Sequence, residues 1–149
     1  MSDWYKIFRN GSVLTQSPEE MRELGRQIGK ILIPGEVLGV VGELGAGKTH
    51  LTQGIVEGLG CSDAVVSPTF ALVHEHTGGR LRVCHFDFYR LKAEADLLGI
   101  GWDDYLDGEA VLIVEWANLF PNALPDDTSW LLLEHEGVNL RRVSLSLDM

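Results

Sequence analysis

Apolar residues recur along this chain with two different periods, and the switches between them mark out its elements. Met21, Leu24, Ile28 and Ile31 are spaced by three and four residues, the stripe of a helix that buries one face. Ser17, three residues ahead of Glu20, supplies a capping-box start. EVLGVVG (36–42) then reads as a short apolar strand, and THLTQGIVEGLG (49–60) as a helix running into a glycine stop. Two extended runs, 64–76 and 80–91, are separated by Thr77-Gly78-Gly79 and predict a hairpin. Residues 91–110 form a polar helical stretch interrupted by glycines. AVLIVEWA (110–117) is an apolar run with an acid near its end, followed by a loop with Pro121 and Pro125. The last twenty-odd residues predict two strands joined at Gly137-Val138-Asn139. The first segment, 3–16, carries strand-like patches on either side of an Asn10-Gly11 turn. The mixture is α/β with antiparallel additions.

Composition narrows this picture. The 149 residues predict one domain, 1–149, with a single sizeable core and no linker, repeat or low-complexity stretch. The net charge is −10, from 22 acidic and 12 basic residues, which argues against long-range attraction of nucleic acid. Any RNA would be held through a partner. Cys61 and Cys84 are far apart, form no CxxC and sit in apolar surroundings, as expected of two buried thiols in a reducing compartment. The first residues, MSDWYKIFRN, carry no signal-peptide apolar region, and no run approaches the roughly 18 apolar residues of a membrane span. A cytoplasmic protein without a membrane segment is expected.

Candidate chemistry enters with GELGAGKT, residues 42–49. Two glycines with four residues between them, then Lys and a hydroxyl residue, form the Walker A pattern, here set between a predicted strand and a predicted helix. Gly42, Gly45 and Gly47 lack side chains, so the backbone through Glu43, Leu44 and Ala46 can turn its N–H groups inward around phosphate oxygens. The helix that follows adds its positive end. Lys48 can reach terminal phosphates, and the Thr49 hydroxyl is placed to ligand magnesium. The predicted architecture is therefore a single-domain P-loop NTPase fold, α/β in three layers with a central mixed sheet.

Such a loop needs a carboxylate at the end of a neighbouring strand. Glu115 follows Val111, Leu112, Ile113 and Val114, the apolar-run-then-acid arrangement of a Walker B strand. Asp87 follows Val83, Cys84, His85 and Phe86 with the same ending. Both are candidate catalytic residues, with Thr49 and Glu115 as candidate magnesium ligands. Spacing leaves open which acid meets the ion directly. His74, His76 and His85 raise the alternative of a metal cluster, but the cysteines and carboxylates around them lack zinc-ligand spacing.

GELGAGKT, SPTF (67–70), HFDFYRL (85–91) and VEW (114–116), in this order in a small acidic chain, resemble the bacterial TsaE family over nearly the whole sequence. The resemblance implies a small P-loop ATPase required for making threonylcarbamoyladenosine on tRNA, with ATP as substrate, Mg2+ as cofactor, and TsaB and TsaD proteins as partners. It implies that Lys48 binds phosphate, that Thr49 ligands magnesium, that Glu115 is the Walker B-like acid and Asp87 the acid of an HxDxYR box. Thr69 would lie in a switch-like segment. The chain departs from the family pattern at His76, where tyrosine is usual, at Ala117, where proline is usual, and around Gly137-Val138, where a Gly-Arg pair is common. The arginines there are Arg141 and Arg142, which leaves open which arginine, if any, reaches the nucleotide, and Arg90 is open to two readings, an arginine finger or a brace of the switch segment.

Rival readings are a small-molecule kinase, a stand-alone P-loop NTPase, or a module that uses ATP only as a folding ligand. A kinase lid calls for gathered arginines, whereas the eight here are dispersed apart from Arg80 with Arg82 and Arg141 with Arg142. The Asn-Lys-x-Asp signature of a GTPase is absent.

Overall fold

The computed structural model describes residues 3–43, 45–61 and 73–147. Leu44 and the SPTF segment, with Thr69, lie outside them. Among the described residues seven strands form one sheet: β1 (Ser12–Thr15), β2 (Val37–Gly42), β3 (Val73–His76), β4 (Val83–Asp87), β5 (Val111–Glu115), β6 (Ser129–His135) and β7 (Arg141–Ser146). Their order is β1-β7-β6-β2-β5-β4-β3. The central four, β6-β2-β5-β4, run parallel, and the edge pairings β1–β7, β6–β7 and β3–β4 are antiparallel. The mixed sheet expected from the sequence is thus a parallel centre extended by a hairpin at one edge and by two antiparallel strands at the other.

Alternation along the strands feeds two cores. Leu38 and Val40 of β2, Val111 and Ile113 of β5, and Leu131 and Leu133 of β6 face the helices α2 (Pro18–Ile31) and α3 (Lys48–Gly58). Val37, Leu112, Val114 and Trp130 face the other way, with Phe86 and Phe88. There the cover is made by two single-turn helices, α4 (Asp96–Gly99) and α5 (Trp102–Tyr105), and by short 3-10 turns. Trp102 stands edge-on to Phe86 at 4.9 Å and to Phe88 at 5.4 Å. This gives the expected three layers.

The N-terminal segment differs from expectation. Residues Trp4–Ile7 form a helical turn, α1, and only Ser12–Thr15 is a strand. Trp4 and Phe8 are both buried and their rings lie 6.0 Å apart. A spacing of four puts two side chains on one face of a helix and on one face of a strand alike, so the patch could not reveal its own period. The start of α2 follows the sequence reading: Pro18 sits in its first turn and the Ser17 hydroxyl accepts from the Glu20 N–H at 3.1 Å. Glu20 reaches back one residue further than a capping box requires, accepting from the Gln16 N–H at 3.0 Å.

What brings α2 against α3 is four glycines. Gly25 and Gly29 on α2 meet Gly54 and Gly58 on α3, so close that a Cβ on Gly54 would stand 2.9 Å from the Gly25 Cα and closer still to the Arg22 carbonyl. Each helix carries its glycines four apart, one turn, and backbone touches backbone. Glu57 closes the edge of this contact by pairing with Arg22 and Arg26. These side chains are substantially exposed, so the pairs add little beyond orientation. Gly54→Ala should therefore destabilise the protein even though alanine is the better helix former by about 1 kcal/mol. Overpacking against rigid backbone outweighs that gain, and a net loss of about 1–2 kcal/mol is expected, read as a fall of roughly 2–8 °C in Tm.

Candidate functional site

The loop at the end of β2 is shaped by the contacts of α3. Gly45 (φ 79°) and Gly47 (φ 103°) take left-handed backbone, and Gly47 is the N-cap of α3. A Cβ on Gly47 would also come 2.9 Å from the Met21 methyl of α2. Ala46 is buried, and its N–H closes a turn on the Glu43 carbonyl at 3.1 Å. Helical hydrogen bonding is under way by Leu51, whose N–H donates to the Gly47 carbonyl.

Lys48, the first residue of α3, is only 6% exposed. Its ammonium donates to the Gly42 carbonyl and, at 3.1 Å, to the Glu43 carbonyl, and lies 4.4 Å from the centroid of the Trp116 ring. Burial lowers its pKa, an effect opposed by the nearby Glu115 and Asp87 carboxylates. Thr49, next along, is exposed.

Asp87 and Glu115 end adjacent parallel strands and pair directly in register. Alternation places both on the same face as Val83, Val111 and Ile113, the face covered by α3. Asp87 accepts from the Tyr89 N–H at 3.0 Å, capping the 3-10 turn of residues 88–90. Arg90 returns from that turn to within 3.8 Å of the same carboxylate, which is a bracing contact. Glu115 is gripped by His85, Nε2 to Oε2 at 2.6 Å. Burial foremost, then repulsion from Glu115, raise the Asp87 pKa against the Tyr89 N–H, Arg90 and His85.

Two partners at this site, Trp116 and His85, were not singled out as site residues from the sequence. Trp116 has φ 57°, the one positive value outside glycine among the described residues, and an L side chain in that conformation costs on the order of 1 kcal/mol. It is held there by its N–H on the Val40 carbonyl at 3.1 Å and by the Tyr89 ring at 4.9 Å, leaving its own ring beside Lys48. No sequence signal announces a left-handed tryptophan. His85 could have been found, because it stands two residues before Asp87 and so shares its face. Of the two C-terminal arginines, Arg141 is the one at the loop, with Nε 3.4 Å from the Gly45 carbonyl and Nη1 near the carbonyls of Gly137, Val138 and Leu140. Arg142 is tied to Glu136 and to Ser12 instead.

A buried ammonium bonded to loop carbonyls, beside left-handed glycines and a helix N-terminus, is a donor set suited to phosphate. The exposed Thr49 hydroxyl and the two carboxylates are suited to a hard cation that keeps some water. Among the described residues no three His, Cys, Asp or Glu side chains gather as a protein-only metal cage, and the His74 and His76 rings meet edge-on at 5.9 Å. No helix among them is long and apolar enough to cross a membrane.

The sequence pattern of the family described as "Threonylcarbamoyl adenosine biosynthesis protein TsaE" matches residues 15–143. The chain is 37% identical over 132 residues to the tRNA threonylcarbamoyladenosine biosynthesis protein TsaE of Bacillus subtilis (strain 168), covering 89% of this chain and 82% of that protein. It is 42% identical over 109 residues to the protein of the same name from Streptomyces coelicolor, covering 72% and 74% respectively. The crystal structure of Bacillus subtilis YdiB superposes with a TM-score of 0.75 at 32% identity, over 90% of this chain and 82% of that one.

The raised Asp87 pKa fixes the sign of a pH effect. The native state binds this proton more tightly than the unfolded chain does, so the charged carboxylate lowers stability once pH rises above the ordinary carboxylate range. Asp87→Asn should be at least as stable as wild type near pH 7. The difference should shrink as pH falls and Asp87 protonates, as urea unfolding at several pH values would reveal.

Proposed function

The chain belongs to the TsaE family, and on that premise we propose that it is the Mg-dependent ATP-binding and hydrolysing subunit of a tRNA-modifying assembly with TsaB and TsaD proteins, supporting threonylcarbamoyladenosine formation at position 37 of ANN-decoding tRNAs. The observation that carries the ATPase reading is the meeting of Lys48 with the paired acids Asp87 and Glu115 at the ends of three neighbouring parallel strands. Family membership carries the rest. With a charge of −10 the chain is poorly suited to hold tRNA by itself, so tRNA comes to it through the assembly. The two free, buried cysteines fit a cytoplasmic location.

The backbone of residues 42–47 and the start of α3 would cradle the β- and γ-phosphates, and Lys48 would leave its loop carbonyls to meet their charge. Thr49 and Glu115 would hold Mg2+, which supplies neutralisation of the phosphate oxygens. His85 keeps Glu115 in place while Asp87, next to it, is positioned to orient the attacking water or accept its proton. Arg90 is engaged in bracing Asp87, so the transition-state cation is expected from a partner subunit.

Steady-state phosphate release, at matched ATP and magnesium, should be slow for the chain alone and rise when TsaB and TsaD are added. Lys48→Ala should lower ATP affinity or turnover by at least about tenfold, ~1.4 kcal/mol, without unfolding the protein. Rapid turnover by the lone chain, unaltered by those partners, would put a stand-alone NTPase or small-molecule kinase in its place.

A further inference from the structure

Both acids of the site end parallel strands, yet their oxygens are engaged differently. Asp87 is turned toward its own chain, with Oδ1 accepting the Tyr89 N–H at 3.0 Å and Oδ2 facing Arg90 at 3.8 Å. Glu115 has Oε2 committed to Nε2 of His85 at 2.6 Å. That leaves Oε1 for a further ligand.

His85 reaches Glu115 through the strand register. It stands opposite Ile113, one row below the Asp87–Glu115 pair and on the same face, so its ring crosses diagonally to the neighbouring strand end. The two side chains are only 12% and 14% exposed, and a hydrogen bond so shielded from water is stronger than one at the surface. An ionised carboxylate only accepts, so an ionised Glu115 requires the proton on Nε2 of His85. The carboxylate cannot then turn both oxygens to one cation without giving up that bond.

Hard cations differ in what they ask of such a ligand. Mg2+ demands near-octahedral geometry, keeps several waters and takes few protein oxygens, whereas Ca2+ gathers about six to eight oxygens and accepts a carboxylate through one or both. A single fixed carboxylate oxygen, near the Thr49 hydroxyl, fits the first demand better than the second. We infer that His85 is a positioning residue that makes Glu115 a one-oxygen ligand and thereby biases the site toward magnesium over calcium. The inference rests on the magnesium and ATP reading above and adds what selects the ion.

The test is calorimetric titration of ATP into wild type, His85→Phe, His85→Asn and His85→Gln, each with magnesium, with calcium and with EDTA. Phenylalanine keeps a ring without the N–H, asparagine is too short to place its amide where Nε2 stands, and glutamine can place an N–H there. Magnesium-supported ATP affinity should fall by at least about tenfold in His85→Phe and His85→Asn, as is usual when the hydrogen-bond partner of a metal ligand is removed. Calcium-supported affinity should fall by no more than about threefold and binding in EDTA should stay within about twofold, while His85→Gln keeps the wild-type preference for magnesium. Phenylalanine and asparagine perturb the packing in different ways, so whichever of the two stays folded by circular dichroism carries the test. The role of His85 is overturned if wild type binds ATP as tightly with calcium as with magnesium, if the preference survives loss of the N–H, or if His85→Gln loses it as His85→Phe does. It is equally overturned if affinity in EDTA falls as far as affinity with magnesium, the mark of a residue that only supports the fold. Wild type that binds no ATP, or whose binding gains nothing from magnesium, overturns the magnesium and ATP reading itself.

Discussion

The site depends on how closely two helices approach. Gly25 and Gly29 lie against Gly54 and Gly58, and this backbone contact sets the position of α3 on the sheet. The glycine-rich loop leads directly into the N-terminus of α3, so the same contact sets where Gly47 and Lys48 stand relative to the strand ends. Met21, one turn before Gly25, packs against Gly47 and carries the constraint into the loop itself. A side chain at any of the four glycines would force the helices apart, and the loop would move with α3. Close packing transmits such strain because interiors have little slack.

Within that frame the site is held in electrostatic tension. Lys48 is buried at a cost that lowers its pKa, and it is steadied by two carbonyls, an indole face and two nearby acids. Asp87 and Glu115 sit side by side, and burial and mutual repulsion push the Asp87 pKa upward. His85 and Arg90 offset part of this from the outside. Charges held at the expense of stability are a frequent mark of a functional site. The left-handed Trp116 belongs to the same account: its backbone strain places an aromatic face against the ammonium where another side chain would leave it unscreened.

The edges of the sheet serve the site differently. On one side the β6–β7 hairpin sends Arg141 to the Gly45 carbonyl, linking the tip of the glycine-rich loop to the last hairpin of the chain. On the other, β3 continues the sheet beyond β4, which carries Asp87, so that this acid sits on an internal strand. The covering of the second face by short helices and turns brings Phe88 and Phe120 together beneath the segment that bears Tyr89 and Arg90. The segment between Asp87 and Leu91 is thereby anchored from below while Tyr89 stays largely exposed above.

The amino-acid sequence by itself determined the local features: the glycine-rich loop between a strand and a helix, the stripe of α2 with its Ser17 cap, the turn at 77–79, and the two apolar runs ending in Asp87 and Glu115. Each follows from forces acting within a few residues: side-chain periodicity, capping, and the backbone freedom of glycine. Tertiary structure alone decided which strands are neighbours, and therefore that Asp87 stands beside Glu115 and that β6 flanks the loop strand opposite them. It also decided that Trp4 and Phe8 close a helical turn, because the same spacing of four suits a strand, and that Arg141 and not Arg142 reaches the loop. Residues 85 and 115, or 141 and 45, are brought together by pairing and packing between distant segments, and no pattern within either segment encodes the contact.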